Sequence, residues 1–141
     1  MTVFSHPLRV RWGEVDAQGV VFNPNYLVYA DVAALEFFRA AGVPSDADSD
    51  MGQSYVVDAH ATFRASARFD DLLDLRVFLT RLGRSSYAIR VDITRAGQTL
   101  VEVDLTYVRA VDGVSMPLSE GFRTILAGME TTVQQIVSPV P

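Results

Sequence analysis

The segment from Asn25 to Ala41 constrains this chain most. Asn23-Pro24 precedes it, and Gly42 and Pro44 follow it. Asn is a favoured N-cap, and Pro suits the first helical position because its missing N–H would have no intrahelical partner. Gly and then Pro end a helix. A helix is therefore predicted from Asn23-Pro24 to about Ala41. Its polar side chains are Asn25, Asp31, Glu36 and Arg39, and around them stand Leu27, Val28, Tyr29, Leu35, Phe37 and Phe38. At ~100° per residue the four polar positions fill a sector of roughly 140°, leaving about 220° apolar. A surface helix needs a narrower stripe. This one must be wrapped by a sheet on most sides, or lie between a sheet and a partner subunit.

The rest of the chain supplies the sheet. A first strand is predicted over Leu8–Trp12, apolar at Leu8, Val10 and Trp12. Four alternating runs follow the helix: Val57–Arg64, Asp74–Thr80, Tyr87–Thr94 and Val101–Tyr107. Period two marks half-buried strands. Ala96-Gly97 reads as a tight hairpin, Gly83 separates the second and third runs, and the short turns imply an antiparallel meander. A short helix is expected from Ser119 to Met129 and a frayed tail from Ile136 to Pro141. The acidic stretch Pro44–Asp50 lacks the Gly and terminal Glu spacing of a calcium loop and reads as a mobile, solvated connection. The fold class is α+β, with about five antiparallel strands on one long helix.

Composition narrows the function classes. At ~100–200 residues per domain, 141 residues make a single domain, 1–141. There is no Cys, which excludes disulfides, zinc-thiolate sites and a thiol nucleophile. The net charge is −5, and all 12 basic residues are Arg. That excludes a Schiff-base lysine and disfavours a nucleic-acid partner. No apolar run approaches the ~20 residues of a membrane span, and the N-terminus lacks a signal pattern. A cytoplasmic protein without a membrane partner is expected.

The chemistry is concentrated between Trp12 and Tyr26. Asp16 lies in a Gly-containing loop, seven residues before the helix start. Free N–H groups gather at a helix N-terminus, and the dipole there favours negative charge. N–H donors for an oxyanion beside a carboxylate base or nucleophile are what acyl transfer needs. Gly19 would let the backbone approach a substrate closely, and Val21 and Phe22 could exclude water. Asp-x-x-Gly is also common in plain turns, so a turn-capping Asp16 with Gly19 at positive φ is the competing reading. Glu14, two residues before Asp16, could form a coupled pair with it. His6 and His60 form no metal-ligand spacing with a carboxylate, so no metal is expected, and no Gly-x-Ser-x-Gly elbow is present.

Asp16, Gly19, Val20, Val21, Pro24, Asn25 and Tyr26 resemble the signature of the hot-dog-fold acyl-CoA thioesterases of the 4-hydroxybenzoyl-CoA thioesterase type. The resemblance extends over nearly the whole chain and implies a curved sheet around a central helix. It implies hydrolysis of an acyl-CoA to free acid and coenzyme A without a cofactor. Asp16 would be the catalytic carboxylate, as nucleophile through a mixed anhydride or as general base on water. The Asn23 N–H would polarise the thioester carbonyl, and Gly19 would shape the adjacent wall. Val20, Val21 and Tyr26 would face the substrate. Some relatives carry His at the place of Asn23 and others Tyr, which leaves the acyl group open. The resemblance further implies a site between subunits of a homodimer or homotetramer.

Coenzyme A phosphates call for positive charge. Arg81, Arg84, Ser85 and Ser86 flank Gly83 at a strand end, with Thr62 and Arg64 as a second set. Two other functions compete with hydrolysis. One is a hot-dog hydratase or dehydratase, which needs a His beside its carboxylate. The other is a non-catalytic acyl-CoA-binding protein.

Overall fold

The structure is a computed structural model that describes residues 3–129. The expected tail from Ile136 lies outside the described residues. The alternating runs form β2 (Ser54–Phe63), β3 (Leu72–Leu82), β4 (Ser86–Arg95) and β5 (Gln98–Val111), and β1 (Phe4–Arg9) joins them. All pair antiparallel in the order β1-β3-β4-β5-β2. Hence only β3-β4-β5 is a meander, and β2 lies beyond β5 rather than beside β3. Ala96 and Gly97 both have positive φ, as a two-residue hairpin joining right-twisted strands requires. Asp112-Gly113 repeats this device before a short β6 (Val114–Ser115), a hairpin the alternation does not reveal.

The helix α1 (Asn25–Ala40) lies across one face of the sheet. Tyr26, Tyr29, Ala30, Ala33, Ala34, Phe37 and Phe38 are buried on its inner side. They meet Leu73, Leu75, Val77, Ile89, Val91, Ile93, Val101 and Val103, the inward members of the strand alternations. A second helix, α2 (Glu120–Ala127), closes the end of the core with Phe122 and Leu126. Ser119 caps it through its hydroxyl.

Four expectations need correction. The first strand is Phe4–Arg9, not Leu8–Trp12: Pro7 is tolerated because β1 is an edge strand, and Trp12 enters a 3-10 turn where the residue is 73% exposed. The helix start is not capped by the Asn23 side chain. Pro24 already has helical φ and ψ, and the Asn25 and Tyr26 N–H groups donate to the Phe22 and Asn23 carbonyls. Asp50 is not solvated: it is buried, accepts from Ser119 N–H and Oγ at 2.7 and 2.6 Å, and pairs with Arg109. Finally, β2 is exposed along most of its length on both faces, because α1 covers little of it. For the same reason Leu27, Val28, Val32 and Leu35 are exposed on α1. The sheet thus wraps less of the helix than its apolar circumference implies. Of the two arrangements open to that helix, a sheet on most sides is excluded.

Candidate active site

The stretch from Glu14 to Asn25 is a hairpin-like loop closed by main-chain bonds. Val15 bridges Val21, and Val20 bridges Arg68. Asp16 N–H donates to Val20 O and Gly19 N–H to Asp16 O, both at 2.9 Å. Gly19 has φ of 79°, a conformation that a side chain resists. Asp16 Oδ1 accepts the Gln18 N–H at 2.8 Å. The plain turn reading of Asp16 and Gly19 therefore describes the backbone correctly. It does not use up the carboxylate, because Asp16 Oδ2 has no hydrogen bond among the described residues.

The same loop leaves one N–H of interest unpaired. Phe22 N–H donates to Glu14 O at 2.9 Å, and Asn25 and Tyr26 N–H are taken up in the first helical turn. Pro24 has no N–H. Asn23 N–H, between them, makes no hydrogen bond among the described residues. The expected cluster of free helix-terminal donors is thus reduced to one at this point in the chain.

Both groups border one pocket of about 360 Å³. Asp16, Val20, Val21, Asn23, Tyr26 and Arg64 line it, together with Gln18, Phe63, Ala65 and Ser66. Tyr26 is buried, and its hydroxyl accepts the Ala67 N–H at 3.0 Å. Burial pushes the Tyr26 phenol up, against the opposing pull of that bond, so it stays neutral. Phe63 meets Tyr26 edge to face with ring centroids 5.7 Å apart. Arg64 bonds Glu102 at 3.1 and 3.2 Å.

Not every predicted residue is here. Gly19 makes the turn behind the wall and does not line the pocket. Thr62 pairs with Glu102 on β5 and is absent from the lining. Arg81, Arg84, Ser85 and Ser86 lie at the far end of β3. At ~3.3 Å per residue, its 11 residues put that turn roughly 35 Å from the end that meets the Asp16 loop. Neither His60, exposed on β2, nor His6, half-buried on β1, borders the pocket. Glu14 turns away from Asp16 to bond Arg11 and Tyr29, so the two carboxylates do not pair. Gln18, Ala65 and Ser66 are lining residues that the sequence reading missed. Ala65 and Ser66 carry no signal of their own: they reach the pocket because Val21 N–H bonds Ala67 O across the fold.

A second groove, of about 380 Å³, lies on the outer side of α1. It is bordered by Leu27, Val28 and Asp31 with Val56 and Ala59 of β2 and Leu105 of β5. Among the described residues no helix is long and apolar enough to cross a membrane.

Residues 18–102 match the family model of the thioesterase superfamily. The acyl-CoA thioester hydrolase YbgC of Escherichia coli is 28% identical over 116 residues, 82% of this chain and 87% of that protein. The 4-hydroxybenzoyl-CoA thioesterase of Pseudomonas sp. is 28% identical over 91 residues, 62% of this chain and 64% of that enzyme. A hypothetical protein from Thermus thermophilus superimposes with a TM-score of 0.82 at 27% identity, covering 89% of this chain and 98% of the other. The hot-dog architecture implied by the loop signature is thus the fold of this protein. Because the match spans more than half of the chain, from Gln18 through α1 and strands β2 to β4, the chain belongs to the thioesterase superfamily.

Proposed function

We propose that this thioester hydrolase cleaves acyl-CoA, with Asp16 as the reacting carboxylate and the Asn23 N–H as the carbonyl activator. The similarity to acyl-CoA and 4-hydroxybenzoyl-CoA thioesterases supports the reaction class. One observation carries the assignment: a carboxylate oxygen of Asp16 and the main-chain N–H of Asn23, both without hydrogen-bond partners among the described residues, belong to residues that line the same pocket. An N–H aimed at developing negative charge stabilises the tetrahedral intermediate, most strongly once the bound acyl group excludes water. Asp16 either attacks the thioester carbon, giving an anhydride that water opens, or takes a proton from the attacking water. In both routes the sulfur leaves as the coenzyme A thiolate. Phe63, Val20 and Tyr26 supply an apolar wall for an acyl group, and Arg64 lines the same pocket while bonded to Glu102, so its guanidinium would meet a phosphate only by giving up that pair.

The site is completed by a second copy of the chain. The edge of β2, with Tyr55, Val56 and Val57 47–60% exposed, and the outer side of α1 form one continuous apolar face. An edge strand of this kind pairs readily with its own copy, and closure by twofold symmetry gives a dimer. The partner would bring a helix face to the groove beside α1.

A thiol-release assay over aryl and medium-chain acyl-CoAs, with wild type and Asp16→Ala, tests the reading. Turnover by wild type and a loss of orders of magnitude in the variant is the expected result. Equal turnover in both removes Asp16 from the chemistry, and tight acyl-CoA binding with no thiol release identifies a binding protein instead.

A further inference from the structure

The loop signature does not account for Glu14, yet Glu14 is the most heavily bonded residue near the pocket. Its carbonyl oxygen accepts two bonds, from Phe22 N–H and from Asn25 Nδ2, each at 2.9 Å. Its carboxylate accepts from Arg11 N–H at 2.7 Å, from Arg11 Nη2 at 2.6 Å and from Tyr29 Oη at 3.0 Å. Asn25 and Tyr29 are four residues apart and so share one face of α1. Tyr29 is 1% exposed, so its hydroxyl has no water to turn to. One residue is therefore gripped twice by the helix, once through its main chain and once through its side chain. Asp16 is two residues beyond Glu14, and Asn23 is the residue after Phe22.

We propose that Glu14, held by Tyr29 and Asn25, is a positioning clamp that sets the spacing between the Asp16 carboxylate and the Asn23 N–H. This rests on the assignment of those two groups above. Glu14 touches no substrate: its carboxylate faces Arg11 and Tyr29, and it does not line the pocket. The clamp joins the two ends of the loop to the first turns of α1, one grip being the buried Tyr29, so the loop cannot breathe without breaking a bond to Glu14. Misplacing reacting groups by about 1 Å costs up to ~100-fold in rate.

The test uses Tyr29→Phe and Asn25→Ala, which release the two grips independently, with Glu14→Ala and Glu14→Gln. Each variant is assayed well below its own unfolding temperature, on the fastest acyl-CoA of the panel. Amide hydrogen exchange is followed at Phe22. Tyr29→Phe and Asn25→Ala should each lower kcat by about 10–100-fold with KM within about threefold, and exchange at Phe22 should quicken. Glu14→Gln keeps an acceptor for Tyr29 and should recover most of the kcat that Glu14→Ala loses. A purely structural residue would lower the melting temperature and leave kcat per folded molecule intact. Wild-type kcat and Phe22 exchange in either folded single-grip variant overturns the clamp. Should Asp16→Ala keep full turnover while Phe22 exchange quickens in the variants, the clamp exists and the chemical assignment is what fails.

Discussion

The two ends of β3 carry loops with similar ingredients. The Asp16 loop has a Gly, charged neighbours and a strand-to-helix passage. The turn at Gly83–Ser85 has a Gly, two flanking Arg and two hydroxyls. In the far turn, the carbonyls are spoken for. Gly83 O accepts Arg123 Nη1 at 2.6 Å, Arg84 O accepts Leu118 N–H and Ser85 O accepts Arg109 N–H, both at 2.9 Å. Arg81 bonds Ser86 Oγ at 3.2 Å. In the near loop, Asp16 Oδ2 and Asn23 N–H remain open beside a pocket. Polar groups with partners build structure, and polar groups left open in a concave place are available for chemistry.

Replacing Asp16 by Asn breaks this comparison most directly. Asn keeps an oxygen for Gln18 N–H, so the turn survives while the charge and the nucleophile go. We expect kcat to fall by about 10³-fold or more with the melting temperature within a few degrees of wild type. A thiol-release assay and thermal unfolding of the same preparation check both halves. Comparable kcat would mean that the open carboxylate is incidental.

This difference also explains what the sequence could and could not tell. The period-two runs located β3, β4 and β5, and the apolar circumference of residues 25–41 located α1, because both signals reside in single side chains and their spacing. Asp16, Gly19 and Tyr26 are legible as parts of a motif for the same reason, with Asn23 as a departure from it. The far turn reads as a phosphate site from two Arg beside a Gly, a pattern that looks the same whether or not the backbone around it is satisfied. Satisfaction comes from Arg109, Leu118 and Arg123, at least 23 residues later in the chain. The first strand slipped because Phe4, His6 and Leu8 alternate around a Pro, and only an edge position makes Pro7 acceptable there. Glu14 reads from sequence only as a possible partner of Asp16, because its bonds to the helix reach residues 11 and 15 positions away.

The far turn should respond in the opposite way to the near loop. Arg123→Ala leaves Gly83 O without its charged donor. The group is half-buried, so the loss is about 1–2 kcal/mol in a denaturant titration, with kcat per folded molecule within twofold of wild type. A kcat collapse at constant stability would show that this turn serves the site after all.

Acid should weaken the near loop through Glu14. Burial alone would push its carboxyl up, but the hydrogen bonds from Arg11 and Tyr29 outweigh that and hold it below the usual glutamate value. A depressed folded pKa contributes stability above the unfolded value of ~4.3, and the contribution is lost as pH falls through the folded one. Asp71, drawn down by Arg68 and Arg95 against its own burial, and Glu102, drawn down by Arg64, add the same sign. Asp92 has the reverse sign, since burial raises it despite Arg90, and its stabilising effect fades as pH rises. The net expectation is a urea midpoint that falls below about pH 4.3, with a shallower fall in Glu14→Gln. An unchanged slope in that variant would place the linkage elsewhere.

The smallest contrast lies in the two glycines. A Cβ at Gly19 meets nothing within 4 Å, yet φ of +79° strains any other residue by about 1 kcal/mol. At Gly83 the conflict is the reverse. Its φ is ordinary, but a Cβ would sit 2.9 Å from Ser86 Oγ and 3.1 Å from Ser86 O. The hydroxyl can turn away at the cost of its Arg81 bond, and the stiffer unfolded chain offsets part of the loss by roughly 0.4–1 kcal/mol. Gly19→Ala should therefore lower both the melting temperature and kcat, because relaxing the strain moves Asp16. Gly83→Ala should shift stability by less than about 1 kcal/mol and leave kcat alone. If the two substitutions lower kcat alike, turn geometry at both ends reaches the pocket, and the division between an open end and a satisfied end no longer identifies the site.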